Sequence, residues 1–384
     1  MILDPHIVPS RMTQIPCSLY IHFPWCVKKC PYCDFNSHAL SAGAAPTSAY
    51  IEALIRDFQN ELAFLQGLKI QTIFLGGGTP SLFTAKDLEP LFKVVLPHCE
   101  TEAEITLEAN PGTIERGQFK DYSSLGINRI SLGVQSLNPT HLKTLGRIHN
   151  TDEVKQAVAE IHHAGFKRLN LDLMHGLPKQ TPDEALQDLE AALALLPTHV
   201  SWYQLTIEPN TYFANYPPKL PHDDALADIE DAGFALLAQH GFERYEISAF
   251  AKNQDYCRHN LNYWTFGDYM GIGAGAHGKQ TLDDKIIRRA KPKLPKSYLS
   301  ASTPPKEVNI PLKDRPFEFM MNALRLTQGF KINHFTERTG LEIEQIRPQL
   351  KVAKTKGLLH EDADRIKPTD LGLRFLNDLL HLFA

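Results

Sequence analysis

Six short apolar runs, rich in β-branched residues, alternate with segments of helical period along the first half of the chain. The runs are Leu19–Phe23, Thr72–Gly76, Glu104–Glu108, Arg129–Gln135, Arg168–Leu173 and Val200–Ile207. Between them, Ser48–Leu65, Ala85–Leu96, Asp152–Ala164 and Asp183–Leu195 repeat their apolar residues at helical spacing. Nearly continuous apolar strands separated by amphipathic helices argue for a parallel sheet covered by helices. Periodicity leaves two forms open, a partial barrel and an open doubly wound sheet. It is firmer on where a site would lie, because an unusual polar cluster follows each strand: His22-Phe23-Pro24-Trp25-Cys26, Gly76-Gly77-Gly78-Thr79-Pro80, Glu108-Ala109-Asn110-Pro111, Gln135-Ser136, Asp172 with His175-Gly176-Leu177-Pro178, and Glu208-Pro209-Asn210. Parallel α/β folds build their sites at the carboxyl ends of strands, so these clusters are expected to share one rim.

At 384 residues the chain suits one large α/β domain plus a smaller one. Asp223–His240 reads as a further helix, residues 245–279 are rich in glycine and aromatics, and Lys279–Lys291 has the pattern of a hairpin turning at Asp283-Asp284. The Pro-, Lys- and Ser-rich stretch Lys291–Leu312 reads as a linker. Beyond it, helical patterns at Phe317–Leu326, Ile343–Lys356 and Leu371–Phe383, with a small wing at Leu358–Lys367, suggest a mainly helical, winged-helix-like domain. The expected division is an extension over 1–17, an α/β core over 18–245, an intervening segment with its linker over 246–312, and the C-terminal domain over 313–384.

Composition removes several function classes. A net charge of −4 gives no basic field for nucleic acid, and the winged-helix pattern alone does not imply DNA binding. The start MILDPHIVPSRM lacks the basic and apolar regions of a signal peptide, and no run reaches the ~18 apolar residues of a membrane span. A cytoplasmic setting is expected. The C-terminal run LRFLNDLLHLF could dock a partner or a membrane surface peripherally, although a helix packing its apolar face on the core explains it equally well.

Half of the six cysteines fall within eight residues, as Cys26, Cys30 and Cys33 in YIHFPWCVKKCPYCDF. Cys17, Cys99 and Cys257 are scattered and read as free thiols. Structural zinc would need a fourth ligand, with His22 or His38 nearest, but zinc motifs usually come as paired units. A [4Fe–4S] cube takes four thiolates when fully capped, so three cysteines would leave one iron open to a substrate or cofactor. That reading fits the spacing best.

The cysteine spacing resembles that of the radical S-adenosylmethionine superfamily. GGGTPS, EANPG, GVQS, LGRIH, DLMHGLPKQT and GIGAGAH extend the resemblance from about Leu19 to the C-terminus. More closely, the chain is similar to the oxygen-independent coproporphyrinogen dehydrogenases and the related HemW heme chaperones. The resemblance implies a partial (β/α)6 barrel in which the open iron chelates S-adenosylmethionine, whose reductive cleavage yields a 5′-deoxyadenosyl radical. By similarity, Tyr20, Gly77 and Glu108 match positions that hold this S-adenosylmethionine. Glycines let backbone approach a ligand closely, and Glu108 suits a ribose hydroxyl or an amino group. The dehydrogenase branch holds a second S-adenosylmethionine, at positions matched here by Tyr32, Gly78, Thr79, Gln135, Arg147, Asp172 and, less closely, Thr206.

Departures from the dehydrogenase pattern point toward HemW. Where those enzymes continue to a fourth cysteine this chain has Phe35, and only 25 residues precede Cys26. His259-Asn260-Leu261-Asn262-Tyr263-Trp264 is similar to the HNxxYW motif of HemW proteins, which is associated with heme binding. A histidine can ligate heme iron axially, and Tyr263 and Trp264 offer flat surface for a porphyrin. A histidine beside aromatics can equally be a hydrogen-bonded core residue. Cys257 is a further thiolate candidate, while His175 and His277 read as site-lining or packing residues. The expected protein binds a cluster, S-adenosylmethionine and heme, and passes heme to an acceptor protein. No catalytic residue is assigned. The alternative is coproporphyrinogen III dehydrogenation, and a more distant one is a zinc-stapled protein whose winged helix binds nucleic acid.

Overall fold

The computed structural model describes residues 15–40, 45–65, 67–113, 118–282 and 285–384. All six apolar runs form strands: β1 (Cys17–Phe23), β2 (Ile70–Gly77), β3 (Cys99–Ala109), β4 (Arg129–Gln135), β5 (Arg168–His175) and β6 (His199–Gln204). They lie side by side in chain order, each parallel to the next. This sequential order has no switch point, which separates a partial barrel from a doubly wound sheet.

The intervening segments are α1 (Thr47–Glu61), α2 (Ala85–Val95), α3 (Gln118–Leu125), α4 (Thr151–His163), α5 (Pro182–Leu193) and, after β6, α6 (Asp223–Gln239). Capping boxes start α2 at Thr84 and Asp87, α4 at Asn150 and Glu153, and α5 at Thr181 and Glu184. Each box satisfies backbone N–H groups that an uncapped first turn would leave open.

The strands are less uniformly apolar than a sheet buried on both faces would be. Leu19, Ile21 and Phe23 of β1, Ile105 and Leu107 of β3, Ile130, Leu132 and Val134 of β4, and Leu169, Leu171 and Leu173 of β5 share one core with the helices. The alternate residues are polar: Ser18, Tyr20 and His22; Glu104, Thr106 and Glu108; Arg129 and Ser131; Asn170 and Asp172. Successive side chains of a strand point to opposite faces, so this second set lines the interior of the barrel.

Beyond the six runs, β7 (Ala249–Ala251) adds antiparallel to β6. Helix α7 (Arg258–Trp264) leads into β8 (Asp268–Ile272), which pairs in parallel with the open side of β1. The segment expected to be rich in glycine and aromatics thus supplies a seventh parallel strand. The expected hairpin forms as β9 (His277–Leu282) and β10 (Lys285–Ala290), while its turn at 283–284 lies outside the described residues.

The stretch expected as a linker is built into the fold. It contains α8 (Pro295–Leu299) and β11 (Lys306–Asn309), which extends the sheet beside β10. Buried Lys291 contacts Asp57 and Glu61 of α1, and the Tyr298 hydroxyl donates to Asp57 at 2.8 Å. Composition hides these contacts because their partners lie far away in the chain.

The C-terminal part contains α9 (Arg315–Ala323), β12 (Phe330–Lys331), α10 (Ile332–Thr339), α11 (Arg347–Thr355), β13 (Leu359–Glu361) and β14 (Arg365–Pro368), with β12, β14 and β13 forming a three-stranded wing. Phe266, from the turn between α7 and β8, and Ile286 of β10 join its core. Two short helices close the chain, Asp370–Arg374 and Leu376–His381. Leu379 of the second helix and Phe383 just after it are buried in that core, with Leu376, Leu380 and Leu382 packed against it, whereas Phe375 is exposed. Among the described residues no helix is long and apolar enough to cross a membrane.

Candidate functional site

The loop after β1 closes on itself, as Trp25–Cys26 pairs in parallel with His38–Ala39. Within it the Lys29 ammonium donates to the carbonyls of Phe35 and Ser37, at 3.1 and 3.2 Å. Cys26, Cys30 and Cys33 are partly exposed and line one cavity of about 380 Å³. Burial pushes the Cys26 thiol above its ordinary pKa, opposed by hydrogen bonding to Thr79 and Ser37. Arg147 places Nη1 3.6 Å from Cys30 Sγ and donates Nη2 to the Gly133 carbonyl at 2.7 Å.

Among the described residues no three His, Cys, Asp or Glu side chains converge on a single ion. His22 is unavailable to zinc. Its Nε2 lies 2.9 Å from the Asn36 carbonyl, which requires a donated proton, and Nδ1 therefore accepts from the Tyr20 hydroxyl at 3.0 Å.

Gly77, Gly78, Thr79, Glu108, Gln135, Arg147, Asp172, Tyr32 and Tyr203 line the same cavity. Gly77 has φ +114°, and a Cβ there would lie 2.4 Å from the His22 ring. A Cβ on Gly78 would lie 2.5 Å from the Trp25 carbonyl oxygen. The backbone can take this course only without side chains, and the cradle it forms faces the cysteines.

The Gly77 N–H donates to Glu108 Oε2 at 3.1 Å. Burial, reinforced by the charge of Asp172, raises the Glu108 carboxyl to about 8. Asp172 accepts from Asn170 at 2.8 Å and Ser131 at 3.0 Å, and burial raises its pKa too. Gln135, in the left-handed region at φ +69°, accepts from the Tyr203 hydroxyl at 2.7 Å. Among the described residues, the buried Nε of Arg147 has no partner. Three soft donors, a bare backbone cradle and the unpartnered Arg147 Nε in one cavity fit a thiolate-bound cluster with a polar ligand beside it.

A second cavity, of about 540 Å³, adjoins the first and shares Phe35, Gly77 and Glu108 with it. Phe35 is 63% exposed at this junction. Tyr20, Tyr263, Trp264, Phe266 and Tyr269 supply aromatic walls, and Lys279, Arg288 and Lys293 supply positive charge.

The HNLNYW segment enters as α7, whose first turn rests on Glu104 of β3. The Arg258 and His259 N–H groups each donate to that carboxylate at 3.0 Å. His259 is buried with both ring nitrogens engaged. The Thr72 hydroxyl donates to Ser18 at 2.8 Å, so it accepts from His259 Nδ1 at 2.7 Å, and Nε2 accepts from the Tyr263 hydroxyl at 2.9 Å. Desolvation lowers the His259 pKa to about 3. This is the hydrogen-bonded core histidine of the alternative reading: its lone pair is spent on Tyr263, and an axial bond from it would have to break that contact. Cys257 is fully buried against Glu104 and lines neither cavity.

Tyr263 and Trp264 reach the second cavity, whereas Asn260 lines neither. Thr206 lies apart, its hydroxyl donating to Glu208 at 2.7 Å on a different groove. Residue patterns did not single out Asn36, Arg288 or Lys293, which face the site because Asn36 holds two distant segments together. Its Nδ2 donates to the carbonyls of Ala274 and Lys293, both at 2.9 Å.

A parallel partial barrel with a three-cysteine loop above its first strand defines a radical S-adenosylmethionine protein. The model of that superfamily matches residues 20–192, and that of the HemN C-terminal domain matches 310–375. Membership of the superfamily implies a [4Fe–4S] cluster and S-adenosylmethionine. The chain is 50% identical to the heme chaperone HemW of Escherichia coli K12 over 372 residues, covering 96% of this chain and 98% of that one. It is 52% identical to HemW of Haemophilus influenzae over 375 residues, with the same coverage, and 32% identical to that of Bacillus subtilis over 386 residues, covering 95% and 98%. The chain belongs to the HemW family. Its fold also matches the radical enzyme coproporphyrinogen III oxidase, HemN, of E. coli with a TM-score of 0.81 at 22% identity, covering 96% of this chain and 90% of that one.

Proposed function

We propose that the protein is a heme chaperone that binds heme beside a [4Fe–4S] cluster and S-adenosylmethionine, then passes heme to an acceptor protein. The observation that carries this is the pair of cavities joined at Phe35, Gly77 and Glu108. The first has thiols and a glycine cradle; the second has aromatic walls with cationic groups, a combination that suits a flat, apolar, dianionic macrocycle. The names of its relatives support the same reading.

Cys26, Cys30 and Cys33 would hold the cluster, which supplies one-electron chemistry to bound S-adenosylmethionine. Gly77 and Gly78 present backbone to that cofactor, Glu108 receives its polar groups, and Arg147 sets positive charge beside Cys30. Thr79, Gln135, Asp172 and Tyr32 complete the wall and leave room for a second such ligand. Tyr263 and Trp264 supply flat surface for heme, and His259 holds Tyr263 in place from beneath. The chain's exposed Phe35, where a dehydrogenase would have its fourth cysteine, favours the chaperone over the oxidative alternative.

The test uses anaerobically reconstituted full chain. Stoichiometric hemin binding with a shifted Soret band, together with no protoporphyrinogen IX from coproporphyrinogen III and a reductant, is the expected pair of results. Turnover to protoporphyrinogen IX, or no hemin binding, overturns the reading.

A further inference from the structure

The second cavity is lined by two imidazoles, His22 and His277, and His259 lies beneath it. Their hydrogen bonds differ in a way that decides which can reach iron. The His22 ring is spent on Tyr20 and Asn36, and the His259 ring on Thr72 and Tyr263. His277 is exposed and, among the described residues, its ring makes no hydrogen bond.

The backbone that presents His277 is specifically built. Gly275 has φ +82°, and a Cβ there would lie 2.2 Å from Asn36 Nδ2. The same Asn36 amide ties the loop to Ala274 and Lys293. The loop carrying His277 is thereby fastened to the loop carrying the cysteines.

His277 begins β9, so Lys279 shares its face of the strand, and Arg288 pairs across the hairpin with Lys279. Lys279 is buried and paired with Asp268 at 2.7 Å, which leaves Arg288 and Lys293 as the outer cations. Arg288 is itself fixed, donating to the Tyr269 hydroxyl and to Glu318, both at 2.6 Å. Desolvation, then the charges of Lys293 and Arg288, lower the His277 pKa, which favours the neutral imidazole that metal binding needs.

We infer that His277, rather than His259, donates the axial nitrogen to heme iron in this cavity, with Arg288 and Lys293 facing the propionates. This rests on the heme-binding reading above. It assigns the ligand to the GAGAH loop and leaves the HNLNYW helix as the aromatic wall.

The test is anaerobic titration of the reconstituted full chain with hemin, read by absorption, EPR and resonance Raman. Wild type is expected to show histidine-ligated ferric heme. His277→Ala should weaken binding at least about tenfold and lose that signature, with recovery on adding free imidazole, and His277→Met should change the signature without a loss of cluster iron. If wild type binds hemin but His277→Ala keeps both affinity and signature, the inference fails and the chaperone reading stands. If wild type does not bind hemin, both fall.

Discussion

The imidazole of His259 and the hydroxyl of Tyr263 meet 2.9 Å apart across one turn of α7, and this bond closes a buried chain that runs through Thr72 to Ser18. Residues four apart share a helix face, so the HNxxYW spacing brings the histidine and tyrosine together before any ligand arrives. The motif's histidine anchors the helix to β1 and β2, and its tyrosine and tryptophan face the cavity.

Removing that anchor should cost stability first. His259→Ala takes away the acceptor of the Tyr263 hydroxyl and the donor to Thr72, which keeps its bond to Ser18, and opens a cavity beside Phe74, a loss of roughly 3 kcal/mol. Tyr263→Phe removes one bond and costs about 1 kcal/mol. Chemical denaturation with circular dichroism measures both. A His259→Ala protein as stable as wild type would contradict the buried network.

Cys30→Ser should abolish the cluster while leaving the fold intact, because the three thiols are partly exposed and contribute little to the core. Iron and acid-labile sulfide analysis after reconstitution gives the answer. Retention of both would remove Cys30 from the ligand set.

Gly77→Ala forces a Cβ into the His22 ring at a backbone angle that L residues rarely adopt. We expect S-adenosylmethionine affinity to fall by about tenfold or more, since a few kcal/mol of strain displaces the N–H that bonds Glu108. Cluster iron should remain. Equilibrium dialysis against labelled S-adenosylmethionine separates the two effects, and unchanged affinity would remove Gly77 from the cradle.

Glu108 should make ligand binding pH-dependent. With its carboxyl raised to about 8 by burial and by Asp172, it is largely protonated at pH 7 in the free protein. Ligand hydroxyl or amino donors bond better to the carboxylate, so affinity should rise with pH toward 8 and level off above it. Glu108→Gln should flatten this dependence, as calorimetric titration across pH 6–9 would show. An identical slope in the variant assigns the dependence elsewhere.

The buried histidines set the acid limit. His259 and His199 titrate far below 6.5 when folded, and His149 and His175 at about 4, chiefly through desolvation. The unfolded chain binds protons at these sites below its own pKa of about 6.5. Stability should therefore be fully present above that pH and decline as pH falls from 6.5 toward 4. Thermal melts at pH 7, 6 and 5 should show a progressively lower midpoint, and a flat profile would contradict the burial of these rings.

Much of this was written locally. The six strands, their helices and the three-cysteine loop follow from apolar period, capping residues and spacing, all of which act within a few residues. The thiols, Gly77, Gly78 and Glu108 likewise announce themselves as short clusters at strand ends. Two kinds of feature were not legible. The polar inner face of the barrel was masked because its residues alternate with the leucines and isoleucines beneath the helices, so each run reads as apolar overall. The linker over 291–312 looked featureless because Lys291 and Tyr298 find their partners on α1, more than two hundred residues earlier.

The sequence by itself therefore determined the class of fold, the cluster loop and the kind of ligand the rim would receive, since those depend on residue type and near-neighbour spacing. Tertiary structure decided which histidine is free. His259 stands in HNLNYW and His277 in GAGAHG, and neither stretch shows by itself which imidazole will be consumed by hydrogen bonds. The distinction arises because α7 folds under the barrel, where Thr72 and Tyr263 consume one imidazole, while Gly275 and Asn36 hold the other at the cavity wall, its nitrogens unspent among the described residues.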